Sequence, residues 1–274
     1  MIFSANLSLL FGEVPFLDRF ERAAAAGFGA VEFWWPRGEE LEAVEAAARD
    51  AELEVALFNF DAGDMAGGDR GLLSDPERAH LFRENVPVAV ELARGLRCRK
   101  LNALVGTRVA ELPRGEQLSL AAENVRWAAR RVEAYGIEIL IEAVNTFENG
   151  PYLLSRTEEA MDFVRTVGRP NVRLQYDAYH MQRMEGNLVA NLRRYHPMIA
   201  HIQIADSPDR HEPGTGEINF RYVLEAIHEL GYDGHVGLEY RPRSSTEDSL
   251  RWLPRHLRSG SVDPREAFAQ GAAV

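Results

Sequence analysis

One lysine and one cysteine are all that 274 residues hold of those two types, and each scarcity closes off chemistry. Cys98 has no partner for an internal disulfide and cannot build a cysteine-rich zinc module. Lys100 would have to carry any Schiff base alone, because arginine, which supplies the rest of the 31 basic residues, keeps its proton. Basic charge is itself in deficit: 42 acidic residues leave a formal net charge of −11, which argues against general affinity for nucleic acid. Long apolar runs are missing too, so no stretch approaches the ~20 residues of a membrane span. The opening MIFSANLSLLFGE lacks the basic start of a signal peptide, and a cytoplasmic location is the expectation.

Two further motifs are absent. The glycine-rich candidate Gly63-Asp-Met-Ala-Gly-Gly68 does not match the dinucleotide fingerprint and is not followed by a helical pattern. No Gly-x-Ser-x-Gly elbow occurs, and Cys98 precedes a strand candidate instead of following one, so nucleophilic hydrolase readings are weak.

What is present is a regular alternation. Short β-branched or aromatic runs at 2–6, 30–33, 54–59, 100–105, 138–142, 173–176, 200–204 and 236–239 read as strands. Between them, stretches rich in Ala, Glu and Arg predict helices near 15–26, 39–51, 76–95, 116–135, 157–167, 187–195, 219–230 and 246–257. Ser155-Arg-Thr-Glu158 reads as a capping box. Eight strand–helix units without a break in composition predict a single (β/α)8 TIM barrel over residues 1–258. The small, polar, aperiodic stretch 259–274 reads as a C-terminal tail, peripheral or disordered.

In such a barrel, chemistry gathers where strands end and the following loops begin. Four consecutive strands deliver an acid or amide there: Glu142 closes Ile137-Glu-Ile-Leu-Ile-Glu142, and Asp177 closes Val172-Arg-Leu-Gln-Tyr-Asp177. Gln203 and Asp206 lie in His201-Ile-Gln-Ile-Ala-Asp206, and Glu239 ends the eighth run. Three carboxylates and an amide oxygen are hard donors suited to Mg²⁺ or Mn²⁺. Taken singly, each acid could equally be a solvated loop residue or an arginine's partner; their succession at matching positions favours a metal. His180, three residues after Asp177, is close enough to share that site or to sit on the surface. Arg210 offers a planar fork for an anionic substrate or a surface ion pair. Of Trp34 and Trp35, one is expected to line the site and the other to pack. Lys100 starts the fourth strand, at the end of the barrel away from catalysis, which disfavours Schiff-base chemistry and with it pyridoxal phosphate.

Phe3-Ser-Ala-Asn-Leu-Ser8, the run from Gln175 to Gly186, His201–Asp206, Glu212-Pro-Gly-Thr-Gly-Glu-Ile-Asn219 and Gly237-Leu-Glu-Tyr240 resemble the hydroxypyruvate isomerase family of the xylose-isomerase-like barrels. The resemblance spans roughly residues 1–258. It implies Glu142, Asp177, Gln203 and Glu239 as metal ligands, Glu142 and Glu239 as the acid/base pair, and His180 and Arg210 as substrate contacts. Trp34 joins these contacts as an aromatic wall. The implied reaction interconverts hydroxypyruvate and tartronate semialdehyde through an enediolate, with one divalent cation and no nicotinamide or flavin. The partner is then a small anionic hydroxy-keto acid, with homo-oligomerisation left open. A 2-oxo-tetronate isomerase and a ketose 3-epimerase are the neighbouring alternatives. A metal-dependent abasic-site nuclease and a non-catalytic binding protein represent other classes; only His180 and His211 lie near the rim, whereas such a nuclease is rich in histidine and basic surface.

Overall fold

The structure is a computed structural model that describes residues 1–263, 266 and 267. Eight parallel strands close on themselves in sequence order: β1 (Ile2–Asn6), β2 (Ala30–Phe33), β3 (Glu54–Asn59), β4 (Lys100–Asn102), β5 (Glu138–Glu142), β6 (Val172–Asp177), β7 (Ile199–Ile204) and β8 (His235–Leu238). β8 pairs back onto β1, Phe3 facing Val236 and Ser4 facing Gly237, so no strand edge is left open. The fold is the (β/α)8 barrel.

The outer helices are α1 (Asp18–Ala25), α2 (Leu41–Asp50), α3 (Ala79–Gly95), α4 (Arg114–Val132), α5 (Thr146–Asn149), α6 (Thr157–Val167), α7 (Ala178–Met184), α8 (Leu188–Tyr195), α9 (Phe220–Glu229) and α10 (Thr246–Ser249). Each long helix turns an apolar stripe to the barrel, as Phe82, Val86, Ala89 and Ala93 do on α3. Between β2, β3 and α1 the filling is aromatic: Phe33 stacks on Phe58 at 5.7 Å and meets Phe20 edge-on. No described helix is long and apolar enough to cross a membrane.

Three local expectations need correction. The helix expected over 246–257 stops at Ser249 and resumes only as a 3-10 turn, Arg255–Leu257. Pro254 lacks an N–H and disfavours helical backbone before it. Arg258 reaches in to hydrogen-bond the carbonyls of Leu250 and Leu253. At the start of α6 the acid that answers Ser155 is Glu159, not Glu158: its Oε2 accepts from the Ser155 N–H and hydroxyl. β4 ends at Asn102, three residues earlier than its apolar run suggests. Of the tail over 259–274, residues 264, 265 and 268–274 lie outside the described residues. Val262 is buried and donates its N–H to the Met1 carbonyl.

The barrel's bore is unusual in being polar through its middle. Leu57, Leu140 and Ala200 form a small apolar cluster of their own, separate from the outer core. Alongside lies Glu32 of β2, a carboxylate with no solvent exposure at all. Ser4 Oγ (2.8 Å), Asn6 Nδ2 (3.1 Å), Gln203 Nε2 (2.6 Å) and His201 Nε2 (2.8 Å) all donate to it. These donors hold Glu32 below the usual carboxylate range against the opposing effect of burial. Burial lowers His201 as well, against the raising effect of the Glu32 charge. Space for this carboxylate comes from β8: a Cβ on Gly237 would fall inside the van der Waals envelope of both Glu32 oxygens.

Candidate active site at the C-terminal rim

Above this layer the ends of β5, β6 and β8 meet. Glu142 is the last residue of β5, Asp177 the last of β6, and Glu239 directly follows β8, its N–H still bonded to the Ile204 carbonyl. With His180 of α7 they form a buried cluster in which one donor atom from each lies within 4.8 Å of the others. The short helices α5 and α7 hold the cluster in place, and both rest on side-chain N-caps. Asp177 Oδ1 accepts from the N–H groups of Tyr179 (2.7 Å) and His180 (3.1 Å). Its other oxygen, Oδ2, is buried with no hydrogen-bond partner among the described residues. Leaving a carboxylate oxygen in that condition is costly unless something cationic meets it. The donor set therefore fits a hard divalent cation.

The two glutamates are held differently. Glu142 Oε2 accepts from Asn102 Nδ2 at 2.8 Å. Glu239 takes Trp34 Nε1 at 2.8 Å and Asn6 Nδ2 at 3.4 Å on Oε1, and is ion-paired through Oε2 to Arg210 Nη2. Burial and then the neighbouring carboxylates Glu239 and Asp177 push Glu142 well above the ordinary glutamate value. Glu239 is also pushed up by burial, to about 7, with Arg210 opposing the rise. Asp177 rises for the same reason, burial, against the Arg210 charge. All three carboxylates of the cluster thus bind a proton more readily than they would in water.

His180 has a defined tautomer. The Oδ1 of Asn145, the N-cap of α5, accepts from the Glu148 N–H, which turns Asn145 Nδ2 toward His180 Nδ1 at 2.7 Å. Nδ1 is therefore an acceptor, and burial followed by the Arg210 charge drives the ring's proton affinity far down. The neutral ring carries its hydrogen on Nε2, which lies 3.6 Å from Asp177 Oδ2 and 3.9 Å from Glu142 Oε1. Toward the site His180 is a hydrogen-bond donor, not a lone pair.

Gln203 lies in register with Asp177 on the neighbouring strand. Its Nε2 is committed to Glu32, which turns Oε1 the other way, where it accepts from Gln175 Nε2 at 2.6 Å and keeps a second lone pair. Asp206 proves to be an anchor: its two oxygens accept from the N–H groups of Ser207, Gly214, Thr215, Gly216 and Ile218. That cradle fixes the loop carrying Arg210, whose backbone sits at φ +60°, a strained value for a non-glycine. Trp34 lines the site, while Trp35 packs on Phe58. Lys100 donates to the Ala200 carbonyl at the opposite end, and burial raises Cys98 to about 12, leaving it an inert thiol.

Several residues of this rim and of the polar layer beneath it are not marked out by the sequence. Glu32 is the main one, and a charged residue inside the otherwise apolar run Ala30–Phe33 was its only signal. Asn102 and Asn145 orient Glu142 and His180. Arg70 and Arg241 line the same cavity as Glu142, His180, Arg210 and Glu239. They come from loops where no periodicity marks them.

A closed barrel with buried carboxylates converging at its C-terminal rim defines a class of enzyme scaffold, with the reaction centre in the mouth. The chain belongs to the xylose isomerase-like TIM barrel family, which it matches over residues 20–256, and within it to the hydroxypyruvate isomerase family. It is 43% identical over 251 residues to the hydroxypyruvate isomerase of Escherichia coli strain K12, covering 92% of this chain and 97% of that one. It is 42% identical over 257 residues to the 2-oxo-tetronate isomerase of Cupriavidus necator, covering 93% and 98%. Among solved structures, a protein of Brucella melitensis described as AP endonuclease, family 2, superposes with a TM-score of 0.88 at 41% identity, covering 92% and 97%. The chain is an isomerase of this superfamily.

Proposed function

We propose that the protein interconverts hydroxypyruvate and tartronate semialdehyde with the help of one divalent cation, Mg²⁺ or Mn²⁺. The observation that carries this reading is the buried meeting of Glu142, Asp177 and Glu239 around the unpartnered Asp177 Oδ2. Glu142, Asp177 and Glu239 would hold the cation, with the free lone pair of Gln203 Oε1 as the fourth donor. His180 is left out of that set because its Nε2 carries hydrogen. When bound, the cation supplies positive charge to draw electron density from neighbouring carbonyl and hydroxyl oxygens.

The protein's own groups do the rest. The isomerisation takes a proton from C3 of hydroxypyruvate and delivers one to C2, while the hydroxyl proton moves between the two oxygens. Glu142 and Glu239 both line the cavity, and both bind a proton more readily than an ordinary glutamate. One takes the carbon-bound proton and the other returns it. His180 Nε2–H is placed to donate to a substrate oxygen, and Trp34 walls the pocket while steadying Glu239. The cavity is about 80 Å³. That is far under the ~300–1,000 Å³ that holds a drug-sized ligand, and it suits a three-carbon acid better than a hexose.

Two relatives with different named substrates match about equally well, so the four-carbon acid is the second reading. Turnover of hydroxypyruvate, 2-oxo-tetronate and D-fructose, each with chelator and then with Mg²⁺ or Mn²⁺, tests the proposal. The expected result is cation-dependent turnover, fastest on hydroxypyruvate. Full activity in metal-free protein overturns the cation; preference for D-fructose overturns the acid substrate. Cleavage of abasic DNA in place of isomerisation would move the protein to the nuclease class.

A further inference from the structure

The anion-binding duty anticipated for Arg210 meets a difficulty: its guanidinium is already paired with Glu239 and stacked 5.3 Å over the Tyr179 ring. An arginine neutralised by one carboxylate is poorly placed to attract another. Two more arginines line the same cavity, and neither has an acid within ion-pair distance among the described residues. Arg70, half-buried on the loop after β3, donates Nε to Asn149 Oδ1 at 2.6 Å and Nη1 to the carbonyls of Met65 and Asp69. These bonds hold the guanidinium without cancelling its charge, and among the described residues they leave both hydrogens of Nη2 uncommitted. Arg241, exposed at the mouth two residues after Glu239, makes no side-chain hydrogen bond among the described residues. Glu148, the remaining acid of the cavity wall, is hydrogen-bonded by Tyr179 and Asn145; its charge reaches Arg70 only through space, without a direct ion pair. The cavity of a protein with a net charge of −11 thus holds two guanidinium groups without a direct ion-pair partner among the described residues.

We infer that Arg70 and Arg241 form the subsite for the substrate's carboxylate, with Arg210 serving to hold Glu239. This rests on the acid substrate proposed above and assigns the residues that distinguish it from a neutral ketose. A carboxylate between two uncompensated guanidinium groups gains charge-assisted hydrogen bonds, which a hydroxymethyl group in its place would forfeit. Arg70, tied down by three bonds, is the preorganised half of the clamp. Arg241, without a tether, closes on an arriving anion.

The test uses the Mn²⁺-loaded protein and a matched pair of ligands, hydroxypyruvate and dihydroxyacetone, which differ only by carboxylate against hydroxymethyl. Oxamate serves as a non-isomerising carboxylate whose binding is read by calorimetry. Arg241→Gln and Arg70→Gln should each raise the KM for hydroxypyruvate and the Kd for oxamate by ~10- to 100-fold. The change for dihydroxyacetone should stay under about threefold. Since Arg70 also ties its loop to Asn149, its variant could fail by unfolding that loop; Arg241, with nothing to release, is the decisive one. Equal losses for acid and neutral ligand, no loss for either, or failure of oxamate to bind wild type would each overturn the subsite. If wild type binds oxamate, loses it on Arg241→Gln and yet does not turn over hydroxypyruvate, the subsite stands and the proposed reaction falls.

Discussion

Glu142 and Glu239 sit within one cluster, yet their surroundings treat them differently. Asn102 alone, among the described residues, donates to Glu142, whereas Glu239 is held by Trp34, Asn6 and Arg210. Glu142→Gln or Glu239→Gln keeps the shape and removes the proton acceptor. Loss of general acid–base catalysis predicts a fall in kcat of ~10²–10⁴-fold. Measured at saturating Mn²⁺, the deficit should persist; recovery at high metal would reduce that glutamate to a ligand. A variant that still exchanges the C3 proton of hydroxypyruvate with solvent but forms no product retains the abstracting base. Glu32 makes a different claim. Glu32→Ala strips the acceptor from four buried donors, and the expected loss is on the order of 3–5 kcal/mol of stability by urea unfolding. An unchanged unfolding midpoint would mean that water replaces the carboxylate.

Among the elements, the strands were the most legible in the sequence, because eight apolar runs stand out against Ala/Glu/Arg-rich helices. The acids at the ends of β5 and β6 and just past β8 were readable for the same reason: each breaks an apolar run at its last position. What was not readable shares one property. α5 and α7 are too short to show a helical period, and their existence depends on N-caps, Asn145 and Asp177, that also serve the site. Arg70 and Arg241 lie in loops, and Glu32 requires three strands to be superposed before its donors can be seen. Asp206 stands out in the sequence as an acid, yet its role as an anchor depends on backbone N–H groups that carry no letter code. Asp206→Ala should free the amides of Gly214, Thr215, Gly216 and Ile218. Their hydrogen exchange should accelerate, and activity should fall at least ~10-fold as the Arg210 loop loosens. Unaltered exchange at those amides would assign the loop's order to other contacts.

For the molecule as a whole, the carboxylate cluster would couple the proposed cation binding to pH and to stability. Glu239 is raised from 4.5 to about 7 in the folded chain, so between those values the native state binds more protons than the unfolded one. That group's contribution therefore lowers the stability of metal-free protein as pH rises from about 4.5 to about 7. A cation must expel the same protons, so its affinity should climb toward pH 8 by up to about tenfold per pH unit for each proton displaced. Calorimetry at pH 6 and pH 8, in buffers of different ionisation enthalpy, reads both the affinity and the protons released. Binding without proton release at pH 6 would contradict the cluster's raised proton affinity. At 100 times its Kd the cation should add about 2.7 kcal/mol to unfolding stability.

The missing side chain at Gly237 makes β2 and β8 interdependent. The volume a Cβ would occupy there is taken by Glu32. An alanine at 237 therefore excludes a glutamate at 32, and a shorter residue at 32 leaves a void that glycine at 237 cannot fill. Positions 32 and 237, 205 residues apart in the chain, behave as a single size-matched unit. In a library that randomises both, survivors should show them covarying, with glutamate at one position accompanied by glycine at the other.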